Sequence, residues 1–305
     1  MIPTLPASRA RFTARSVPRL KPVLDRLYAE FNYPDSAADP IQIVRRFPAA
    51  ADREVVGFIA ASLAFGRVAS VLQSIQRVLF VAGPEPAAYV RTFEPRREAA
   101  AFRPIVHRWT GGPDLVALLW LMRQMIDRAG SIEQFFADGD NLEASDVGSA
   151  IDSFSTRALS LDLKAAYGRV PRRPGVAYFF PRTEAGSACK RMNLFLRWMV
   201  RRDALDLGVW TSVRSARLVV PLDTHVIRMG RCLGLTRYTS PGWRMASDIT
   251  ASLRRLDPDD PVKYDYSLCH LGMKYARSSD RQLLASLNSQ GASLRRAPVL
   301  VSPER

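Results

Sequence analysis

The chain has 305 residues, 47% of them hydrophobic and 24% charged, so it has the apolar material for a sizeable core. No run approaches the roughly 18 apolar residues of a membrane span, and no apolar stretch follows the first basic residues as a signal peptide requires. A net charge of +15 points to a polyanionic partner.

Three cysteines, Cys189, Cys232 and Cys269, are too few and too scattered for a disulfide framework or a four-thiolate cluster. Adjacent Cys269 and His270 lack the spacing of zinc ligands. The expectation is a cytoplasmic, nucleoid-associated monomer with no metal, cofactor or membrane contact.

The elements follow in chain order. Residues 1–20 read as a basic disordered leader: Arg9, Arg11, Arg15 and Arg19 face no acid there, a pattern superficially like an organelle transit peptide. A helical body is expected over 21–275. Within it, a helix over 52–64 presents Val55, Val56, Ile59, Ala60 and Leu63 on one face. A second follows Gly66 with Val68, Val71, Leu72, Ile75, Val78 and Leu79, and Gly83-Pro84 ends it. Asp114 is expected to cap a helix carrying Leu115, Leu118, Met122 and Met125; Ser131 and Gln134 suggest a capping box. A further helix covers 149–161.

A Pro/Gly/Arg-rich loop over 168–188 separates two lobes, about 50–165 and 185–275. Lys190 to Arg201 is strongly helical, with Leu194, Phe195, Trp198 and Met199 inward. Asp223, Ser240-Pro241 and Asp260-Pro261 each open a helix, and only RLVVPL before Asp223 has a strand-like composition. Residues 276–305 read as a second basic disordered tail. The fold class is all-α. Between the tails the positive charge is focused: residues 157–202 hold eleven basic groups against Asp162 and Glu184.

Two stretches carry a family resemblance. DREVVGFIAASLAFGRVASVLQSIQRVL, residues 52–79, resembles the helix–turn–helix that opens the helix-hairpin-helix DNA glycosylases, the superfamily of endonuclease III. PLDTHVIRMGRCLGL, residues 221–235, resembles that superfamily's second signature, in which an acid before Thr-His opens a helix and is the catalytic aspartate. The third element, a Gly-rich hairpin leading to a lysine, is matched by AGSACKRMNLFLRWMV with Gly186 ahead of Lys190, but its second glycine is missing. The long interval from Lys190 to Asp223 is closer to the archaeal 8-oxoguanine glycosylase branch. The whole chain also resembles a bacterial domain family of unknown function.

The resemblance implies a two-lobed glycosylase-like fold acting on double-stranded DNA that carries a damaged base, with Lys190 as nucleophile, Asp223 as electrostatic partner and a possible lyase step. The chemistry is intelligible by itself. Breaking an N-glycosidic bond builds oxocarbenium-like charge that a fixed carboxylate stabilises, and a neutral lysine can attack C1′ and hold the sugar as an imine. Arg191 and the surrounding basic segment are expected to favour the neutral amine. Arg172, Arg173, Arg182, Gly186, Ser187 and Arg191, with His225 and Arg228, are the expected backbone contacts.

In KYDYSLCHLGMK, residues 263–274, Asp265 occupies the place of the acid that contacts the base in the archaeal branch. Cys269 stands where a stacking aromatic is expected, leaving Tyr266 or Trp243 to substitute. Bland readings stay open beside these: Asp223 as a helix cap alone, Lys190 as a solvated lysine, and Asp265 as the buried partner of Lys263 or an arginine. The alternative function is a non-catalytic DNA- or RNA-binding helical module.

Overall fold

The computed structural model describes residues 17–18, 20–34, 39–275 and 282. The expected basic leader and tail lie outside the described residues except at Val17, Pro18, Leu20 and Gln282. Val17 and Leu20 are buried, so the end of the expected leader is part of the core.

Fourteen α-helices are formed among the described residues, and no β-strand. In order they are α1 (Lys21–Phe31), α2 (Ile41–Val44), α3 (Ala50–Ser62), α4 (Val68–Ala82), α5 (Pro86–Arg91), α6 (Pro95–Phe102) and α7 (Gly112–Ala129). Then come α8 (Ile132–Ala137), α9 (Gly148–Leu159), α10 (Lys164–Tyr167), α11 (Lys190–Val200), α12 (Thr224–Cys232), α13 (Trp243–Arg254) and α14 (Asp265–Lys274). All-α is therefore the observed class.

Helix α3 is buried from Glu54 to Ser62 and organises the molecule. Helix α11 packs on α3 at Gly57, where an added Cβ would stand 2.9 Å from Cε of Met199 and displace that side chain's end. Phe58 and Phe195 meet edge-to-face at 5.1 Å across the same contact. The carboxylate of Glu54 crosses the core to accept the Ile132 and Glu133 backbone N–H groups, at 3.1 and 2.7 Å, two first-turn donors of α8 that the Ser131 cap does not reach. Burial raises its pKa against these hydrogen bonds.

At the other end α12 packs along α14, and here a glycine sets the distance. A Cβ on Gly272 would meet Cβ of His225 at 2.7 Å and the His225 carbonyl at 3.1 Å. Helix α1 docks on α14, so an N-terminal element completes the C-terminal cluster.

Several local expectations need correction. Gly111 is the N-cap of α7; Asp114 sits in its first turn and accepts from the Gly111 N–H at 3.2 Å. Ser131 does cap α8 by accepting from Gln134 N, but the Gln134 side chain donates to Asp138, so only half of a capping box forms. Pro241 precedes α13, whose N-cap is Gly242, and Pro261 opens a 3-10 turn (Pro261–Tyr264) before α14. RLVVPL forms no strand: Arg217 ends a 3-10 turn (Ser215–Arg217), Leu218, Val219, Val220 and Leu222 are buried, and the Val220 N–H donates to Thr250 Oγ1.

Candidate functional site

The buried segment 218–222 delivers Asp223 to the mouth of α12 in an extended conformation. Its Oδ1 accepts from the backbone N–H of His225 at 2.9 Å and of Val226 at 2.7 Å, satisfying two free donors of the first turn. Its Oδ2 is left for another partner and takes the Cys269 thiol of α14 at 3.1 Å. Gly234, at φ +65°, ends α12 with the Leu235 N–H on the Gly230 carbonyl.

Lys190 is placed by the turn before α11. Gly186, at φ +78°, closes a turn in which its N–H donates to the Thr183 carbonyl at 2.8 Å, and Thr183 is tied to Asp152 of α9. Ser187 Oγ accepts from the Cys189 N–H at 3.1 Å, and Asn193 Nδ2 donates to the Ala188 carbonyl at 3.1 Å. Cys189 itself is left-handed, with φ +48°. A left-handed conformation at a non-glycine residue costs about 1–2 kcal/mol. Burial pushes the Cys189 thiol up to about 12, which makes it a packing residue and not a nucleophile.

Lys190 and Asp223 line one cavity of about 310 Å³, together with His225, Asp265, Tyr266 and Cys269. Among the described residues the Lys190 amino group has no hydrogen-bond or ion-pair partner. Lys190, Leu194 and Arg197 all reach the cavity from α11; their i, i+4, i+7 spacing is one helix face. Sequence reasoning misses Arg197, which it counts as surface charge.

Arg197 is buried and holds Asp265 through Nη1–Oδ2 at 2.6 Å and Asp206 through Nε–Oδ1 at 3.2 Å. Asp206 also pairs with Arg201, whose guanidinium grips Asp260 with two bonds of 2.8 and 2.9 Å. Asp265 is therefore an arginine's partner, and Lys263 pairs with Asp257 instead. Asp265 Oδ1, Arg197 Nη2 and His270 Nε2 are buried and have no hydrogen-bond partner among the described residues, and all three residues line the cavity. Burial raises Asp265 to about 6; the Arg197 guanidinium opposes this, and the Asp223 carboxylate adds to it. Burial lowers His270, whose Nδ1 lies 2.9 Å from the Tyr266 carbonyl; the neutral ring's N–H at Nδ1 donates to it, and the free Nε2 is an acceptor. Burial, and then the Asp223 and Asp265 carboxylates, push the Cys269 thiol upward, so it stays a donor.

The remaining predicted residues separate into groups. Arg172, Arg173 and Arg182 are exposed and Gly186 lies on the surface with them, Ser187 half-buried beside it. Arg191 turns away from Lys190: its guanidinium lies 3.6 Å from the Tyr178 ring centroid and 5.4 Å from that of Phe65. Burial lowers its pKa. Arg228 donates to the Tyr275 carbonyl. Trp243 is not among the cavity residues; its indole covers Gly148, where a Cβ would approach Cζ2 to 2.7 Å. Tyr266 does line the cavity, its ring 4.0 Å from that of His270.

Among the described residues no group of three His, Cys, Asp or Glu side chains is arranged to hold a metal ion, and no helix is long and apolar enough to cross a membrane. No curated protein and no solved structure matches the chain. One family model does, over residues 39–274, a span that contains every residue lining the cavity. The chain belongs to that family, whose description is Protein of unknown function (DUF2400).

Proposed function

We propose that the protein is a DNA glycosylase of the helix-hairpin-helix type, with Lys190 as nucleophile and Asp223 as its electrostatic partner. The observation that carries the reading is that an unpaired lysine amino group and a helix-capping carboxylate, 33 positions apart in sequence, line the same cavity. In the proposed reaction a base leaves the duplex, at a cost of a few kcal/mol, and enters the cavity. The neutral amine attacks C1′; the N-glycosidic bond breaks with its electron pair on the base, and the base takes up a proton as it departs. The new C–N bond loses the amine's proton, the sugar ring opens to an imine, and water releases the enzyme.

Asp223 stabilises the positive charge that develops on the sugar, and its two N–H contacts fix it in place before the reaction. The unpartnered Asp265 Oδ1, Arg197 Nη2 and His270 Nε2 offer two acceptors and a donor to the base. The exposed Arg172, Arg173 and Arg182 supply phosphate contacts. The test is a panel of duplex oligonucleotides, each with one modified base, assayed for release of the free base by mass spectrometry. Release from at least one duplex by the wild type, and not by Lys190→Gln, is expected. Tight DNA binding with no base released from any duplex would favour the non-catalytic module instead.

A further inference from the structure

The base that departs in the reaction above takes up a proton, and the interior beside the cavity holds a group built to give it. Among the described residues, the carboxylates of Asp203, Asp206, Asp260 and Asp265 are tied to only two guanidiniums, those of Arg197 and Arg201. Acid is in excess, and carboxylates crowded together out of water stay ionised only at a cost. A proton on one of them relieves the imbalance.

The hydrogen bonds decide which one. Asp206 gives one oxygen to Arg197 and the other to Arg201. Both oxygens of Asp260 accept from Arg201, at 2.8 and 2.9 Å. Asp203 Oδ2 accepts from Arg201 and Tyr28, each at 2.9 Å, and its Oδ1 from the Leu205 and Asp206 N–H groups. Asp265 differs: Oδ2 takes Arg197 at 2.6 Å, while Oδ1 is buried without a partner on a residue that lines the cavity.

The groups around Asp265 leave the role to it. Asp223 shares the cavity and is held by two backbone N–H groups; Asp39, Lys190 and His225 line the same space. On the same helix Cys269 stays a thiol bound to Asp223, and His270 stays neutral with its N–H on the Tyr266 carbonyl. The charges of α1 turn elsewhere, Lys21 to Asp25 and Asp25 to Tyr264. Burial, opposed by Arg197 and aided by Asp223, raises Asp265 to about 6, close to the pH at which an acid both holds its proton and gives it up readily.

We propose that Asp265 is a further catalytic residue, the general acid: its Oδ1 delivers a proton to a ring nitrogen or carbonyl oxygen of the base as the N-glycosidic bond breaks with its electron pair on the base. Ionised, this oxygen accepts a hydrogen bond from the base; protonated, it donates one. Asp223 acts by its charge and Asp265 by its proton. The carboxylate left behind regains a proton from solvent. The role also names the substrate class, a neutral base that leaves poorly as an anion; a base already cationic through alkylation needs no acid. The inference rests on the base-excision reading, since only a departing base needs the proton.

The experiment follows two reactions of the full chain, Asp265→Asn and Asp265→Glu. One is base release from a duplex the wild type cleaves. The other is borohydride trapping on an abasic duplex, where Lys190 forms an imine with the sugar aldehyde and no base departs. Wild-type release is expected to fall about tenfold per pH unit above roughly pH 6, while trapping does not fall. Asp265→Asn should slow release by about 100-fold or more, remove that pH dependence and slow trapping far less. Asp265→Glu should recover part of the release and its slope. Equal losses in both reactions would make Asp265 merely structural and overturn the role, as would release by Asp265→Asn at the wild-type rate. Should Asp265→Asn not fold, wild-type release that is flat from about pH 6 to 8 overturns it as well. In each of these cases the wild type still releases a base, so the base-excision reading stands. A wild type that releases no base from any duplex removes the role together with that reading.

Discussion

Asp223 divides its two carboxylate oxygens between two jobs: Oδ1 caps α12, and Oδ2 meets the Cys269 thiol at 3.1 Å inside the cavity. The cap fixes the orientation, and the second oxygen carries the charge toward whatever occupies the cavity. Asparagine keeps the cap and removes the charge. Asp223→Asn is therefore expected to lose less than about 1 kcal/mol of stability by denaturant unfolding. Base release should fall by roughly 10²–10³-fold, the scale of removing one fixed electrostatic group from a transition state.

The close approach of α12 and α14 at Gly272 sets the distance between Asp223 and the α14 residues Asp265 and Cys269. Gly272→Ala forces a methyl group to within 2.7 Å of His225 Cβ. Overpacking of this kind costs about 1–3 kcal/mol. The melting temperature should drop, and base release should drop further than the loss of folded protein explains. A fully active Gly272→Ala enzyme would mean that the α12–α14 spacing is not critical.

Asp265 provides a pH signature. Its folded pKa of about 6 lies above the ordinary aspartate value, so between the two values the native state binds the proton that the unfolded chain has released. Its contribution to stability is thus fully present at low pH and declines as pH rises from about 4 to about 6. Asp206 and Glu54, also raised, add slopes of the same sign, and Asp25, Asp203 and Asp257, lowered, oppose it. The test is the difference between wild type and Asp265→Asn in unfolding free energy across that range. Asp265→Asn carries no charge at any pH and should lack this part of the decline, so its stability relative to the wild type should rise across that range. Parallel curves would show that Asp265 titrates normally.

Surface charge can be tested through salt. Arg172, Arg173 and Arg182 are exposed and make no ion pair among the described residues, so changing all three to Glu should leave the fold intact. DNA affinity should fall for every sequence, and the slope of log K against log salt should flatten by about 0.9 for each phosphate no longer neutralised. An unchanged slope would place the DNA on another surface.

The periodicity of 52–79 is enough to foretell α3 and α4, and Asp223 is readable as the start of α12, because an amphipathic stripe and a side-chain cap are local in sequence. What decides the site is not local. The charge focus at 157–202 counts Arg197 and Arg201 as surface groups, yet Asp265, Asp206 and Asp260 neutralise them in the interior. Arg191 follows Lys190 directly in the chain, but the rings of Phe65 and Tyr178 draw its guanidinium away. Trp243 is a reasonable stacking residue on sequence, but Gly148 leaves room for its indole on another face. Helix α1 is hard to foresee because its apolar stripe is short, and only docking on α14 gives it a purpose.

In the proposed reaction Lys190 becomes covalently bound to the sugar of its substrate. The direct measurement is borohydride reduction during reaction with a duplex the wild type cleaves, followed by peptide mapping of the protein–DNA adduct. If Lys190 is the nucleophile, a stable adduct maps to Lys190, is absent in Lys190→Gln, and forms much more slowly in Asp223→Asn. Base release that proceeds at the normal rate in Lys190→Gln, or an adduct that maps to another residue, would contradict that role.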